Sequence, residues 1–498
     1  MSAIPNLLKI GEIPSNMLME VETSIVEPVV QTESFVRFNL QRSGFLHSNS
    51  KLLLSLDASS FFLADGSNKR AGTVAGGNAP EGPKGDCVFP AGIGISNLVQ
   101  RVRLLSGNTV IQEIDDWNHL ESYKAIFVAN ENNKEKAQFT EAKLMNQQFL
   151  YRDQDTDVAT QRSDVVSTGV AIDTGIEYDS SLADGVDDNR ELNPRRCQKL
   201  SNDPVYQINL ASLVPFLKST QLPLFMFDEQ LYLEVSLVPA TERAVASSHQ
   251  MAGTAAEKAI SFTMNSNETR LVVDYISYPE DTMNQWAAAN KNMNFTYFDY
   301  ELSKFTVDPA VAASGFIRNC GGAGKLVTKM ICGLSQDTTD EQAARSILGK
   351  TVAVHPPQDA TKSSETVITN LRFNDNYLYP ISVKNDSYHF NNVLAAEGVP
   401  PFVTRDQFSQ QGSSTDAARF NGYQQSANDN LGAIGGGLRG NFFWQSFKLN
   451  RNERINQKGI ELYQQYTSLV AGNHTLRIWL EVVKVAQLVD GKLRSEYA

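Results

Sequence analysis

The chain has 498 residues, which is enough for two or more domains that each bury a full hydrophobic core. Hydrophobic residues make up 41% of the chain and charged residues 20%, a composition typical of globular proteins and unlike that of disordered or fibrous chains. The formal net charge of −12 argues against a protein whose main task is to coat DNA, because neutralising phosphates requires an excess of lysine and arginine.

The cysteines and the start of the chain favour synthesis in a reducing compartment. Cys87, Cys197, Cys320 and Cys332 are too few for a disulfide framework at this length, and no two of them form the CxxC pair typical of zinc sites. The first residues lack the charged segment and the long apolar core of a signal peptide, and no apolar run is long enough to cross a bilayer. We therefore expect a protein that is not secreted and has no membrane span.

The first half of the chain begins with strands and a long loop. Residues 1–20 show no sustained periodicity and are either a loose terminus or an arm that docks its aliphatic side chains on a neighbouring subunit. Residues 35–40 (FVRFNL) alternate apolar with polar side chains, and residues 51–58 (KLLLSLDA) predict a more fully buried strand. The glycine-, proline- and alanine-rich residues 64–94 predict a loop.

A hairpin followed by a helix is predicted over residues 98–127. Two apolar runs flank Ser106-Gly107-Asn108, where glycine can adopt the positive φ that a tight hairpin turn requires. Asp115 or Asp116 then caps a helix with one apolar face, formed by Trp117, Leu120, Tyr123 or Lys124, and Phe127.

The stretch from Thr269 to Ala289 predicts a joint between two similar halves. It follows a polar, mostly acidic excursion over residues 130–203 and two further strands within residues 204–239, PVYQINL and LYLEVSLVP. Its first part (TRLVVDYISYP) is rich in β-branched and aromatic residues and predicts a strand. Pro279 then opens a short helix, and Glu280 and Asp281 suit the positive end of its dipole.

The second half repeats the order of the first. Residues 294–307 alternate, which places Phe298, Tyr300 and Leu302 opposite Asp299 and Glu301. Residues 325–334 predict a buried strand.

A second hairpin and helix follow in the order seen at residues 98–127. The hairpin spans residues 367–383 and turns at Asn374-Asp375-Asn376, and its helix is capped by Asp386 or Ser387. A glycine-, glutamine- and serine-rich loop at 397–440 stands where the acidic excursion stood in the first half.

The duplicated order predicts the fold class. The last strands, at residues 441–450, 459–466 and 474–488, match PVYQINL, LYLEVSLVP and TRLVVDYISYP in turn. We predict an all-β protein of two consecutive eight-stranded antiparallel jelly-roll sandwiches with short helices and long loops. The predicted units are an N-terminal arm (1–20), a first jelly roll (21–289) and a second (290–498). The pattern indicates two β-sandwiches without determining the strand order.

Motifs for catalysis or cofactor binding are weak. The histidines are scattered without an HxH or HExxH pair, so His119 and His355 are interpreted as packing or surface residues. The segment GGAGKLV at 321–327 resembles a phosphate-binding loop, but Asn319 occupies the leading glycine position and Leu326 follows Lys325, so we predict a glycine turn at a strand edge.

Carboxylates are the remaining candidates for chemistry. Asp274 lies inside the central strand, where a paired structural acid is commoner than a catalytic one. Four aspartates lie near the spacing of a calcium loop, but Val158 occupies its required glycine position and its final glutamate is an aspartate, so a solvated loop is favoured: Asp153, Asp155, Asp157 and Asp164. We predict no catalytic, cofactor-binding or metal-binding residue and no cofactor.

Two segments resemble the double jelly-roll major capsid proteins of double-stranded DNA viruses. They are Leu222-Pro223-Leu224, within LPLFMFDEQLYLEVSL, and Val273-Asp274-Tyr275-Ile276, within LVVDYISYPEDTMNQW. The hairpin and helix at 98–127 are also similar to the family's first domain. Large algal and giant-virus members usually follow the VDYI strand with an LDxxER helix. This chain has Tyr278-Pro-Glu-Asp-Thr-Met there, which favours the virophage and polinton-like type.

The resemblance implies a non-enzymatic structural protein of the virion, made inside the host cell. Three copies would form a pseudo-hexameric capsomer that tiles an icosahedral shell around the genome, with neighbouring capsomers and with minor capsid and penton proteins as partners, and with no specific nucleic-acid sequence recognised. Residues 1–20 would touch neighbouring or minor proteins. The long loops would form clamps or an outer tower, at residues 64–94, 130–203, 335–362 and 397–440.

Two other classes of protein fit a β-sandwich chain. A carbohydrate-active enzyme needs two carboxylates facing each other in an aromatic-lined groove, which the sequence does not indicate. A carbohydrate-binding protein or adhesin fits poorly with the missing signal peptide and the few cysteines. Neither class accounts for an order of elements that is duplicated over nearly the whole chain.

Overall fold

The computed structural model describes the strands and helices of both halves of the chain. The described residues are 19–55, 87–88, 94–127, 140–141, 205–218, 222–238, 246–247, 264, 268–336, 367–384, 386–398, 442–449, 453–466, 469 and 474–498.

The first half forms two antiparallel sheets that share one hydrophobic core. Its strands are β1 (Glu20–Val26), β2 (Pro28–Thr32), β3 (Phe35–Leu40), β4 (Phe45–Leu46), β5 (Lys51–Ser55), β6 (Cys87–Val88), β7 (Val99–Ser106), β8 (Thr109–Ile114), β9 (Val205–Asn209), β10 (Leu222–Pro223), β11 (Leu231–Leu237), β12 (Ala246–Ser247) and β13 (Arg270–Ser277). One sheet runs β1-β13-β5-β9, with the short β4 also beside β13 and β10 beside β4. The other sheet runs β2-β3-β11-β7-β8, and β6 pairs with β12.

The second half forms two further antiparallel sheets. Its strands are β14 (Asn292–Val307), β15 (Phe316–Asn319), β16 (Val327–Gln336), β17 (Val367–Phe373), β18 (Asn376–Tyr377), β19 (Phe442–Lys448), β20 (Glu461–Tyr466), β21 (His474–Val489) and β22 (Lys492–Tyr497). One sheet runs β14-β21-β16-β19, with β22 beside β21, and the other runs β15-β20-β17-β18.

Short helices connect the strands. The α-helices are α1 (Trp117–Phe127), α2 (Leu210–Leu213), α3 (Glu280–Ala289), α4 (Pro309–Ser314) and α5 (Asp386–Glu397), and the 3-10 helices are Gly94–Leu98, Pro215–Lys218 and Leu224–Met226. Helices α1 and α5 occupy equivalent places, each after the hairpin of its half, as the sequence predicted.

The strand order is the same in both halves. If the eight main strands of each half are numbered along the chain, one sheet contains strands 1, 8, 3 and 6 and the other contains strands 2, 7, 4 and 5. This is the jelly-roll order, which confirms the predicted fold class. The three predicted matches are also confirmed, because β9 and β19, β11 and β20, and β13 and β21 occupy equivalent positions in their sheets.

Alternation along the central strands places apolar side chains in the core. Leu271, Val273 and Tyr275 of β13 are at most 1% exposed, and Val36 and Phe38 of β3 are fully buried. Each such side chain stabilises the fold by roughly 1.5–3 kcal/mol relative to an exposed position. The predicted alternation at residues 35–40 is therefore confirmed.

Strand β14 buries a charged side chain in its middle part. Phe298 is 48% exposed whereas Asp299 is only 2% exposed. At this level of the strand, the buried face is the one that carries Phe295, Tyr297 and Asp299, because it lies against the first sandwich. The predicted alternation of Phe298 with Asp299 is therefore confirmed, and the side that carries Asp299 faces inward here.

The two ends of each sandwich differ. Because successive main strands run in opposite directions, β5, β8 and β11 all finish at one end, which we call the loop end. Strands β16, β18 and β20 finish at the corresponding end of the second sandwich. The opposite end, which we call the turn end, carries the tight β7–β8 turn at Gly107 and the β17–β18 turn at Asn374 and Asp375.

Helix α3 links the two sandwiches at the turn end. Pro279 precedes its first turn, as predicted, and Asn290 caps its end. None of its side chains is fully buried, and its anchor is Trp286, whose ring lies 5.0 Å from that of Phe45 and 6.1 Å from that of Phe225.

Gly44 is the glycine at the turn end where a side chain fits worst. Its φ is +51°, and an added Cβ would lie 2.4 Å from the carbonyl oxygen of Ile276. We expect Gly44→Ala to lower the free energy of unfolding by more than the ~1–2 kcal/mol that a left-handed conformation alone costs alanine. Gly324→Ala is the matched control, because its φ is +74° and an added Cβ meets no atom within 4 Å. Chemical denaturation measures both variants, and equal losses would contradict a clash at Gly44.

Candidate functional site: the junction of the two sandwiches

The β14-β21-β16-β19 sheet has two buried faces. Leu476, Ile478 and Leu480 of β21 pack into the core of the second sandwich. Trp479 of the same strand and its partner Ile331 of β16 point to the opposite face and belong to the hydrophobic cluster of the first sandwich. The outer face of this sheet is therefore covered by the other half of the chain, which makes the two sandwiches one packed unit.

A buried glutamine links the sandwiches at the middle of the strands. The Gln112 Nε2 group on β8 donates to the Phe298 carbonyl at 2.9 Å and to Asp299 Oδ1 at 3.1 Å. Gln112 Oε1 accepts from the Phe216 backbone N–H at 2.9 Å. Lys484 Nζ lies 2.6 Å from Asp299 Oδ2. Every polar group in this buried contact has a partner, which satisfies the requirement that desolvated polar groups be hydrogen-bonded.

An ion-pair cluster links the sandwiches near the loop end. Asp116, between β8 and α1, lies 2.7 Å from Lys304 Nζ and 2.9 Å from Arg477 Nε. Burial alone would raise the pKa of Asp116. The nearby charges of His119 and Arg477 and the hydrogen bonds from Lys304 and Arg477 outweigh burial, so the pKa lies below its ordinary 3.8. The Asp116 carboxylate is therefore ionised at neutral pH.

Helix α1 of the first half packs directly on the second sandwich. The Tyr123 hydroxyl donates to Glu397 Oε1 at 2.5 Å, and the same carboxylate binds Lys329 Nζ at 3.0 Å. Lys329 also lies 3.3 Å from Glu481. Burial and the charge of Glu397 raise the pKa of Tyr123 well above 10, so its hydroxyl remains a donor at neutral pH.

The contacts between the two sandwiches lie at the turn end, at mid-strand and near the loop end. Each end of one sandwich therefore meets the corresponding end of the other. At the turn end, the Asp228 backbone N–H donates to the Gly491 carbonyl at 2.8 Å. Gln112 and Asp299 meet at mid-strand, and Asp116 meets Arg477 near the loop end. The two sandwiches therefore stand side by side with the same end up. Beside the upper contact an open cleft is lined by Gln100, Arg101, Asp115, Asp116, Ser236, Leu302 and Lys304.

Comparison of whole structures finds similar arrangements in viral capsids. The PBCV-1 virus capsid structure is 11% identical in sequence, covers 97% of each chain and has a TM-score of 0.50. The Sputnik virophage structure is 9% identical, covers 100% of this chain and 93% of that chain, and has a TM-score of 0.51. The mavirus major capsid protein is 9% identical, covers 95% of this chain and 90% of that chain, and has a TM-score of 0.51.

The chain has the double jelly-roll fold of these viral capsid proteins. The likeness covers both sandwiches rather than one, because the matched share of the chain is nearly complete. No protein-family model matches the sequence. No curated protein matches it either.

The double jelly roll places Asp274 at the pairing of its first and last main strands. The Asp274 carboxylate accepts hydrogen bonds from Thr23 Oγ1 at 2.7 Å and from Asn49 Nδ2 at 3.5 Å. Thr23 lies directly opposite on β1. Asp274 therefore has hydrogen-bond partners within its own sandwich, and its structural role stays a prediction.

The other sequence candidates in the described residues lie in helices, turns and the core. His119 is buried in α1. Residues 321–325 form a turn between β15 and β16, and Lys325 Nζ lies 2.7 Å from Glu301 Oε1. Cys320 and Cys332 are buried free thiols, and burial raises the pKa of Cys320 to about 12.

Several predictions lie wholly or almost wholly outside the described residues. They concern the calcium-like aspartates at 153–164, His355, most of the arm at 1–20 and nearly all of the loops at 64–94, 130–203, 335–362 and 397–440. Within the described residues, no group of His, Cys, Asp and Glu side chains is placed to hold a metal ion. No helix there is long and apolar enough to span a bilayer.

Sequence reasoning missed the residues that form the junction. Gln112 lies between Ile111 and Glu113, and Arg477 lies between Leu476 and Ile478, so each looks like an ordinary polar residue of an alternating strand. The hairpin between β21 and β22 was missed although its Asp490-Gly491 pair, with φ values of 46° and 73°, is among the strongest short-range turn signals.

We expect Asp299→Asn to lower the free energy of unfolding by about 3 kcal/mol, since removing one partner of a buried ion pair leaves the other charge uncompensated. The partner Lys484 has only 17% of its side chain exposed. Asp375→Asn is the matched control, because Asp375 also lies 2.6 Å from a lysine, but both side chains of that pair are more than half exposed. Urea denaturation should show a clear loss for the first variant and little change for the second. Equal effects would mean that the Asp299 contact does not stabilise the junction.

Proposed function

We propose that the protein is a major capsid protein whose three copies form a pseudo-hexameric capsomer of an icosahedral virion. The observation that carries this proposal is the side-by-side pairing of two jelly rolls with the same strand order and the same end up. Three such chains around a three-fold axis would present six similar sandwiches, which is what a nearly hexagonal tile requires. The fold shared with viral capsid proteins supports the proposal.

The contacts at the junction hold the two sandwiches together as one body, which supports a structural role rather than a catalytic one. Asp116 is held in an ion pair with Lys304 across the two sandwiches, and Asp299 pairs with Lys484 within the second sandwich while it accepts a hydrogen bond from Gln112 of the first. Boundaries near residues 20 and 289 would divide the chain into an arm and two jelly rolls that act as one body. The protein would then work as a building block of the shell, without catalysing a reaction.

An exposed apolar edge favours contact between copies of the chain. Strands β1 and β2 carry large apolar side chains that are 42–61% exposed: Val21, Ile25, Val29 and Val30. Clusters of this kind commonly mark interaction surfaces. We assign this edge to the contact between subunits of the trimer. Neighbouring capsomers and minor capsid and penton proteins would be the further partners in the virion.

The mass of the purified protein in solution tests the proposal. Light scattering after gel filtration should give three times the chain mass of 55.0 kDa, and negative-stain images of that peak should show a hexagonal outline. A monomer with one open groove would overturn the capsomer proposal and would redirect work to glycan binding and hydrolysis assays.

A substitution at the exposed edge tests the assigned subunit contact. Val21→Lys should convert the trimer to monomers, because it places a charge in a contact that loses water on assembly. Val205→Lys is the control, since Val205 is similarly exposed at 45% but lies on β9. A Val21→Lys trimer would disprove the edge assignment while leaving the capsomer proposal intact.

A further inference from the structure

The two equivalent helices each bury a histidine in their first turn. His119 is the third residue of α1 and is 9% exposed, and His389 is the fourth residue of α5 and is 2% exposed. Both helices follow the hairpin of their half and both contact the β14-β21-β16-β19 sheet of the second sandwich. A pair of buried titratable groups therefore lies at the corresponding place in each half.

The hydrogen bonds around His389 require a neutral ring. Tyr466 Oη donates to Gln464 Oε1 at 2.7 Å, and Gln464 Nε2 donates to Gln445 Oε1 at 2.6 Å. The Gln445 Nε2 group therefore points its protons at Thr369 Oγ1, 3.0 Å away, and at His389 Nδ1, 3.1 Å away.

The other ring nitrogen of His389 completes the chain. His389 Nε2 lies 3.3 Å from the Val367 carbonyl, so it carries the proton and donates. Protonating Nδ1 would place an N–H against the N–H of Gln445 and break this chain of hydrogen bonds at His389. The groups that face His389 are the Val367 carbonyl of β17 and the Gln445 amide of β19. On its own helix, the ring of Tyr388 lies 5.5 Å from that of Tyr379.

Positive charges face His119. Arg477 from β21 and Lys304 from β14 both act on it, and Asp116 is the carboxylate near them. Asp116 already binds both of those cations. On its own helix, His119 Nδ1 lies 2.9 Å from Asn118 Oδ1. Burial first, and then the charge of Arg477, place the pKa of His119 well below 6.5.

The sign of the pH effect follows from this geometry. A histidine whose pKa is lowered by folding stabilises the fold fully above its ordinary value of 6.5 and progressively less as the pH falls below that value. Asp116 does not contribute in this range, because its pKa lies below 3.8 and its carboxylate stays ionised. A loss of stability between pH 6.5 and pH 5 therefore reports proton uptake by histidine.

We propose that His119 and His389 form an acid-sensitive latch that holds α1 and α5 on the second sandwich and releases both helices when the rings take up protons. The two helices are coupled, because Glu397 at the end of α5 binds the Tyr123 hydroxyl of α1 and Lys329 of β16. Loosening either helix therefore weakens the loop-end part of the junction while the mid-strand contact of Gln112 and Asp299 remains.

Hydrogen exchange on the wild-type protein tests the latch without any variant. Peptides that cover α1 and α5 should exchange about tenfold faster for each unit of pH below 6.5 and each proton taken up, after correction for the intrinsic pH dependence. Peptides that cover β7 and β11 should not change. A third buried histidine, His474, begins β21 outside both helices. Faster exchange confined to β21, or no change in α1 and α5, would overturn the proposal.

Glutamine substitutions assign the effect to the two histidines. His119→Gln and His389→Gln should each flatten the dependence of the thermal midpoint on pH between 7 and 5, and the double variant should flatten it further. His47→Gln is the control, because His47 is only partly buried and lies at the turn end. An unchanged slope in the double variant, or equal flattening in the control, would overturn the latch. Light scattering of the same samples shows whether each variant is still a trimer, so that a change in oligomeric state is not mistaken for loss of the latch.

Discussion

Burial of the outer face of the β14-β21-β16-β19 sheet against the first sandwich determines how the rest of the molecule is arranged. The apolar part of this contact includes Trp444 and Trp479, whose rings lie 5.9 Å apart, and Tyr123, whose ring lies 5.3 Å from that of Trp444. Apolar burial supplies most of the free energy but has little directionality. The polar contacts of Gln112 and Asp116 determine how the two sandwiches are oriented, because these contacts form in only one relative placement of the sheets.

The two sandwiches share one topology but have different outer faces. On the β3-β11-β7-β8 sheet a ladder of opposite charges crosses the strands, with Arg37 beside Glu234, Glu234 beside Arg103 and Arg103 beside Glu113. These residues are direct partners in register. On the equivalent sheet of the second sandwich the outward residue Ile317 is 62% exposed. The two sandwiches of this duplicated fold therefore have chemically distinct outer surfaces.

Local patterns in the sequence predicted the elements well, because each element is determined by residues close together in the chain. Gly107 marks its hairpin by the positive φ that the turn needs, and Pro279 marks the start of α3 by its fixed φ. The repeated order of elements predicted two jelly rolls. The strand order itself depends on pairings between distant residues, such as that of Thr23 with Asp274, and no local pattern contains them.

The junction was not predictable for the same reason. Asp299 alternates with apolar residues and looks exposed, but Lys484 and Gln112 lie 185 and 187 residues away in the sequence and make its burial favourable. A buried charge is tolerated only where such partners exist. Gln112 likewise differs from an exposed strand glutamine only through the neighbours that the fold provides.

The separation in sequence between contacting residues has a consequence for how the chain folds. Strand β1 pairs with β13 across 251 residues, and Arg477 reaches Asp116 across 361. Loop-closure entropy must be overcome before such contacts stabilise anything, so chains of this kind fold slowly. Until the sandwiches meet, the second one exposes the aromatic face of Trp444 and Trp479, and collapsed intermediates with such surfaces aggregate readily. Synthesis at high concentration would therefore favour help from chaperones during the interval before docking.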